Sequence, residues 1–191
     1  MTSKAKTTSP VQQASTPPVV HDLEDAIELM FFAYRDFVAD ADRILADHNF
    51  GRAHHRVVHF VGGNPGLSIA ELLDILQVTK QSLARVLRDL IASGHVRQEI
   101  GANDRRKRLL YLTASGHCLH ENLIAPQMAR FSQMRETISE EEFQIWARVM
   151  AGIVSPENRE TVNRQLCRTQ NSENRKIRLF RDETAPTDPT T

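Results

Sequence analysis

Residues 103–113 read NDRRKRLLYLT. One acid, Asp104, precedes four consecutive cations, Arg105, Arg106, Lys107 and Arg108, and an apolar run follows. Four adjacent positive side chains repel one another unless something negative offsets the repulsion. The chemistry they offer is recognition of an anion, because guanidinium groups make charge-assisted, often bidentate hydrogen bonds to phosphate oxygens. Asp104 can accept hydrogen bonds from an arginine and hold the segment in shape. A second set of polar side chains lies upstream. Thr79, Lys80 and Ser82 crowd the start of a helical pattern, and Gln81, Arg85 and Arg88 share one face of it. Arg and Lys suit guanine edges, Gln suits adenine, and Ser and Thr suit phosphates. Alone, that face reads as solvated helix surface. The cationic run shortly downstream turns the reading toward double-stranded DNA.

Those residues must be held by structure, and the apolar pattern says which. Leu83, Val86, Leu87, Leu90 and Ile91 fall at helical spacing opposite Gln81, Arg85 and Arg88, so a helix over 79–93 can bury one face and present the other. Ser68-Ile-Ala-Glu71 is a capping-box pattern that opens a preceding short helix, and Ser68 joins the DNA-contacting candidates. His95–Ile100 and Arg108–Leu112 read as two strands joined by a turn at 101–104, with the cations at the tip. Strand alternation would point Arg106 and Arg108 one way and Arg105 and Lys107 the other. Helix, tight turn, helix and hairpin together spell a winged helix-turn-helix. The fold expected is mainly α with a small β-hairpin wing, flanked by dimerisation helices.

The flanks are helical too. Leu23, Ala26, Ile27, Met30, Phe31, Tyr34, Phe37, Val38, Ala41, Ile44 and Leu45 recur at helical spacing over 22–47, with Asp22 as the cap. A second helix is expected over Arg52–Val61, followed by a loop at Gly62-Gly63-Asn64-Pro65-Gly66. Thr113 caps a helix with Leu119, Leu123, Ile124, Met128, Phe131 and Met134 as its stripe, and Pro126 should kink or split it. Ser139-Glu-Glu-Glu142 opens another, carrying Phe143, Trp146, Ala147, Met150 and Ile153, and Ser155-Pro156 restarts an additional helix to about 170. The organisation expected is a disordered leader at 1–20, one domain at 21–154, the additional helix at 155–170 and a disordered tail at 171–191. Within the domain, 52–113 is the DNA-binding core, and 22–47 and 114–153 are the dimerisation helices. The apolar stripes of the flanking helices are too broad for one chain to cover.

Net charge is zero over 191 residues, but its distribution is uneven. Residues 22–47 carry −6, whereas residues 51–116 carry +5. Such asymmetry marks an anion-binding face in the middle third. Two cysteines are too few for a disulfide scaffold, no apolar run suits a membrane span, and the N-terminus lacks an apolar signal core. A cytoplasmic protein without membrane partners is the simpler reading. No phosphate loop, nucleophile elbow or paired-carboxylate constellation is evident, so an enzyme is not indicated and no cofactor is expected.

The combination Pro65-Gly66-Leu67-Ser68, Glu71-Leu72, Val78 through Leu90, Gly94-His95-Val96, Asp104-Arg105-Arg106 and Leu112-Thr113-Ala114-Ser115-Gly116 resembles the multiple-antibiotic-resistance regulator (MarR) family of bacteria. The resemblance spans about 22–153. It implies a homodimer on a pseudo-palindromic DNA operator, with helix 79–93 in the major groove and the wing, 101–108, in the minor groove. It implies that Arg106 is the inserted residue and Asp104 its positioner. The long polar leader and the segment beyond 155 depart from the family pattern.

Other candidates compete with plainer readings. His54, His55, His117, His120 and Glu121 are of metal-ligating type, but no Cys-x-x-Cys or His-Glu-x-x-His pattern is present, so packing, dimer contacts or phosphate contacts are preferred and no metal is expected. Cys118 could be a redox switch, against a buried or inert thiol. Phe31, Phe32, Tyr34 and Arg35 could line a pocket for a small-molecule effector, against ordinary core packing. Arg175–Arg181 could touch DNA or a partner, against a solvated tail. The rivals to the DNA reading are a winged helix used as a protein-interaction module and a metal- or redox-sensing regulator.

Overall fold

A computed structural model describes residues 18–102 and 104–167. The expectations for the leader before 18, for the tail, for Arg175–Arg181 and for the end of the additional helix lie outside the described residues. The fold is mostly helical with one small antiparallel sheet. In chain order it comprises α1 (Leu23–Asp47), α2 (Arg52–Gly63), β1 (Leu67–Ser68), α3 (Ile69–Leu76), α4 (Lys80–Ala92), β2 (Val96–Ile100), β3 (Arg108–Leu112), α5 (Ala114–Thr137) and α6 (Glu140–Ile153).

Two units meet inside α1, at Asp36. The first holds the opening turns of α1. Asp22 caps them, its carboxylate accepting from the Asp25 amide at 2.9 Å. Leu23, Ile27, Phe31, Phe32 and Tyr34 are exposed there, Phe31 by 68%. The plainer expectation, that these aromatics are core, is not met within one chain. Arg35 pairs with Asp36 and lies over the Phe32 ring at 5.0 Å.

The second unit, from Phe37 on, contains one continuous core. Ala41 and Leu45 of α1 join Val57, Val58 and Val61 of α2, Leu72 of α3, Leu83, Val86, Leu87 and Leu90 of α4, and Leu119 and Leu123 of α5. Leu67, Val96, Leu110 and Leu112 bring in the sheet. The spacing of these residues is helical in the helices and alternating in β3, which is why each element buries one face. The sheet order is β1-β3-β2, with Val96 opposite Leu112 and Ile100 opposite Arg108.

Several expectations are corrected. Gly62 and Gly63 continue α2 instead of opening a loop. At Gly62 a side chain would press on Leu112 and His120 at 3.0–3.1 Å, so a residue without one lets α2 run on against β3 and α5. β1, which pairs with β3 through Leu67 and Ser68, was not foreseen. Pro126 does not split α5. Its missing N–H would have served the carbonyl of Asn122, which lies on an exposed turn where water can substitute. Pro156 opens a 3-10 turn, Pro156–Asn158, before helical residues 159–167. That last segment meets α3: Thr161 donates to Asp74 at 3.1 Å and Arg164 reaches the same carboxylate at 3.4 Å. No helix among the described residues is long and apolar enough to cross a membrane.

Candidate nucleic-acid interface

The helix-turn-helix is built from local capping. Ser68 and Glu71 form the expected box: the Ser68 amide and hydroxyl donate to Glu71 at 3.0 and 2.8 Å, and the Glu71 amide donates back to the Ser68 hydroxyl at 3.2 Å. Ser68 is therefore buried and engaged within the box, set apart from the other candidates. α3 ends at Gln77 in the left-handed region, φ 50°, which makes the tight turn into α4. Thr79 caps α4, accepting from the Ser82 amide at 3.1 Å and donating to the Ser82 hydroxyl at 2.9 Å.

α4 buries Leu83, Val86, Leu87 and Leu90 and exposes Lys80, Gln81, Ser82, Arg85 and Arg88. The structure thus brings the sequence-selected residues onto one accessible face. Arg56 of α2, which the sequence did not single out, lines a shallow recess with Val78 and Ser82 beside the first turn of α4. That juxtaposition is tertiary, and no local pattern around Arg56 announces it.

The wing tip is a turn, with residues 105 and 106 at its corner and β3 beginning at Arg108. The Lys107 amide donates to the Asp104 carbonyl and the Gly101 amide to the Lys107 carbonyl, both at 3.0 Å. Strand alternation therefore does not sort the four cations, contrary to expectation. Asp104 does brace Arg106, but through the backbone: its carboxylate accepts the Arg106 amide at 2.9 Å. Arg108 donates to the Arg105 carbonyl at 2.9 Å. Below the tip Arg97 pairs with Glu99 and stacks over Tyr111 at 4.5 Å, which stiffens the hairpin.

Behind the wing, residues 112–116 form a knot. The Thr113 hydroxyl donates to the Gly94 carbonyl at 2.6 Å, the Ser115 hydroxyl to the same carbonyl at 2.8 Å, and the Thr113 amide to the His95 carbonyl at 3.1 Å. Gly94, at φ +74°, turns the chain from α4 into β2, so the start of α5 is fastened to the end of α4.

The cations differ in their partners. Arg52 pairs with Asp42, Arg97 with Glu99, Arg130 with Asp40, Arg135 with Glu140 and Arg164 with Asp74. Among the described residues, Lys80, Arg85 and Arg88 of α4 and Arg105, Arg106 and Lys107 of the wing form no ion pair with the chain. The histidines separate into two groups. His54 stacks on Phe50 at 4.6 Å, accepts the Gly51 amide at 3.1 Å through Nδ1 and faces Asp89. His55 lies beside His59, and His59 beside His120. His117 and Glu121 are on the exposed side of α5, and no group of three or more His, Cys, Asp or Glu placed to hold a metal ion is found among the described residues. Cys118 is exposed, which removes the buried-thiol alternative.

The architecture is a winged helix-turn-helix with cations exposed on α4 and at the wing tip. Residues 48–107 match the MarR family model, which bears out the resemblance seen in the sequence over that segment. The HTH-type transcriptional regulator PetP of Rhodobacter capsulatus is 52% identical over 108 residues, 56% of this chain. The chain spans 65% of that relative's length, just under two thirds. A MarR-family transcriptional regulator from Silicibacter pomeroyi is similar in structure, with a TM-score of 0.57 at 25% identity over 70% of this chain and 93% of that one. FabT of Streptococcus pneumoniae, solved in complex with DNA, shares the fold with a TM-score of 0.60 at 18% identity, over 69% of this chain and 94% of that one.

Proposed function

We propose that the chain is a transcriptional regulator that binds double-stranded DNA as a homodimer, acting in a bacterial cytoplasm. The carrying observation is that the exposed face of α4 and the wing tip gather cations without ion pairs, while seven arginines elsewhere among the described residues are paired within the chain. Phosphates supply the missing negative charge. The polar face of α4 enters the major groove, where Gln81 and Arg85 read bases and Thr79, Lys80, Ser82 and Arg88 meet edges or phosphates. The wing enters the minor groove with Arg106, flanked by Arg105, Lys107 and Arg108. Both PetP, by its name, and the Silicibacter protein, by its description, are transcriptional regulators.

Dimerisation is supported by exposed apolar surface. The first turns of α1 expose Leu23, Ile27 and Phe31, and α6 exposes Ile145, Trp146, Val149 and Ile153. Two α4 helices would then read half-sites roughly 10 base pairs apart. Residues 52–113 serve in this reading as the DNA-binding core. NadR, whose structure with 4-hydroxyphenylacetate shares the fold at a TM-score of 0.57 and 22% identity, sets a precedent for a small-molecule effector.

Selection of bound duplexes from a random pool tests the reading. A two-fold symmetric motif, bound with an affinity that falls steeply with salt, is expected. A pool that shows no enriched sequence would instead favour a protein-interaction module. Sedimentation at micromolar concentration should show a dimer, and a monomer refutes the assembly.

A further inference from the structure

We propose that Arg56, on α2, is a phosphate anchor: together with the Ser82 hydroxyl of α4 it clamps one backbone phosphate of the duplex at the flank of α4. The proposal rests on the DNA reading given above and adds a contact from a helix that reading does not use. Arg52 and Arg56 stand one turn apart on α2 and differ in their partners. Arg52 holds Asp42 of α1 at 2.7–3.1 Å. Arg56 is exposed, and its guanidinium makes no ion pair or hydrogen bond among the described residues. It borders a recess walled by Ala53 and Val57 of α2, Val78 of the turn, and Ser82 and Val86 of α4. Apolar walls suit the methylene stem of an arginine whose charged head stays in water. None of the residues lining the recess is acidic. Asp89, two turns beyond Ser82 on α4, faces His54 at 3.4 Å, and Asp74 of α3 is met by Thr161 and Arg164.

The hydrogen bonds at the start of α4 set the polarity of Ser82. Thr79 Oγ1 accepts the Ser82 amide at 3.1 Å and donates its own proton to Ser82 Oγ at 2.9 Å. The Ser82 oxygen is thus already served as an acceptor, and its proton is left to donate. That proton has no acceptor among the described residues. Arg56 and Ser82 therefore present donors at one recess, and what answers them is negative and rich in oxygen.

Size and placement say which anion this is. The recess holds about 30 Å³, enough for a water and too little for a phosphate group, so the anion lies across its mouth and is held from outside. α2 packs along α4 through Val57 and Val58 in the shared core, and a helix seated in the major groove has a sugar-phosphate strand at each flank. An anion presented there by a larger body is a backbone phosphate. A guanidinium can take two of its oxygens with parallel N–H groups, and Ser82 can donate to one of them. Such a contact carries no sequence information; it fixes how deeply and at what angle α4 enters the groove.

The test uses the full chain and its selected duplex, followed by fluorescence anisotropy over a salt series. Arg56→Gln should weaken binding about tenfold, on selected and random duplexes alike. Its plot of log affinity against log salt should be shallower by about 1 for each half-site engaged, a readout that a packing role would not move. Arg56→Lys keeps the charge without the fork, so it should keep the wild-type slope and recover part of the affinity. The contact is then located with duplexes in which one phosphate at a time is replaced by a neutral methylphosphonate. One position in each half-site should weaken the wild type and cost Arg56→Gln nothing further, and Ser82→Ala should blunt the response at that same position. An unchanged salt slope in Arg56→Gln overturns the proposal. So does a loss confined to the selected duplex, which would make Arg56 a base reader, or a phosphate map in which Arg56→Gln and Ser82→Ala act at different positions. Those results, with wild-type binding intact, strike the anchor and leave the DNA reading standing. A wild type that binds no duplex strikes both.

Discussion

Replacing Gly116 by Ala sets two effects against each other. Gly116 sits in the first turn of α5, and alanine in a helix is favoured over glycine by about 1 kcal/mol. Opposing this, a Cβ at Gly116 would overlap the carbonyl oxygen of His95 and press on Leu112 at 3.2 Å. Backbone cannot swing aside as a flexible side chain can. Overpacking of this kind costs about 1–3 kcal/mol. Relief requires moving the start of α5 away from β2, which would also weaken the bonds from Thr113 and Ser115 to Gly94 and from Thr113 to His95, at about 0.5–1.5 kcal/mol each. The clash wins, with a net loss of about 2–3 kcal/mol. In urea, with a slope near 2 kcal/mol/M, the midpoint should fall by about 1 M at matched protein concentration. Gly63→Ala is the control. Gly63 is also helical, but nothing lies within 4 Å of its added Cβ, so a gain of about 0.5 kcal/mol is expected. A Gly116→Ala protein as stable as the wild type, or more so, refutes the reasoning.

Arg85→Ala should cost about 1–3 kcal/mol on the selected duplex and much less on random DNA; equal losses would reassign Arg85 to the phosphate backbone. Arg106→Ala should weaken binding and flatten any preference for A·T-rich flanks, where narrow minor grooves concentrate negative potential; an unchanged preference in competition assays argues against insertion. Asp104→Ala frees the Arg106 amide and should weaken binding despite removing a negative charge; tighter anisotropy titrations at fixed salt would show that plain Coulomb attraction dominates. Lys107→Ala should weaken all sequences alike and reduce the salt slope by about 1.

What the sequence disclosed follows the length scale of each signal. α4 was readable because five apolar residues and three polar ones keep opposite phases over three turns. The boxes at Ser68-Glu71 and Ser139-Glu142 were readable because the contact is three residues long and local. β1 was not, since two residues carry no period. The wing misled in one respect: four cations in a row look like strand, but the hydrogen bonds at Gly101, Asp104 and Lys107 close a turn around two of them. Gly62-Gly63 looked like a breaker because the need for an absent side chain lies in Leu112 and His120, some 50 residues or more away in the chain. The unpaired state of the α4 and wing cations, the pairing of His59 with His120 and the place of Arg56 are likewise set by contacts between elements, and composition cannot show them.

The knot at Gly94 acts as a shared pivot for two rods of unequal length. α5 has 24 residues and so extends about 36 Å from the pivot, while the 13 residues of α4 extend about 20 Å. A rotation of about 5° that swings the far end of α5 by about 3 Å swings the far end of α4, where Thr79 and Lys80 stand, by under 2 Å. For such a rotation the N-terminal end of α4 moves a little over half as far as the C-terminal end of α5. On the function proposed above, alignment with successive base pairs is a matter of ångströms, so this reduction would suit coarse motion at one end to fine adjustment at the other. Lengthening α5 by one turn beyond Thr137 would make the gearing finer, and shortening it would make the same displacement throw α4 further.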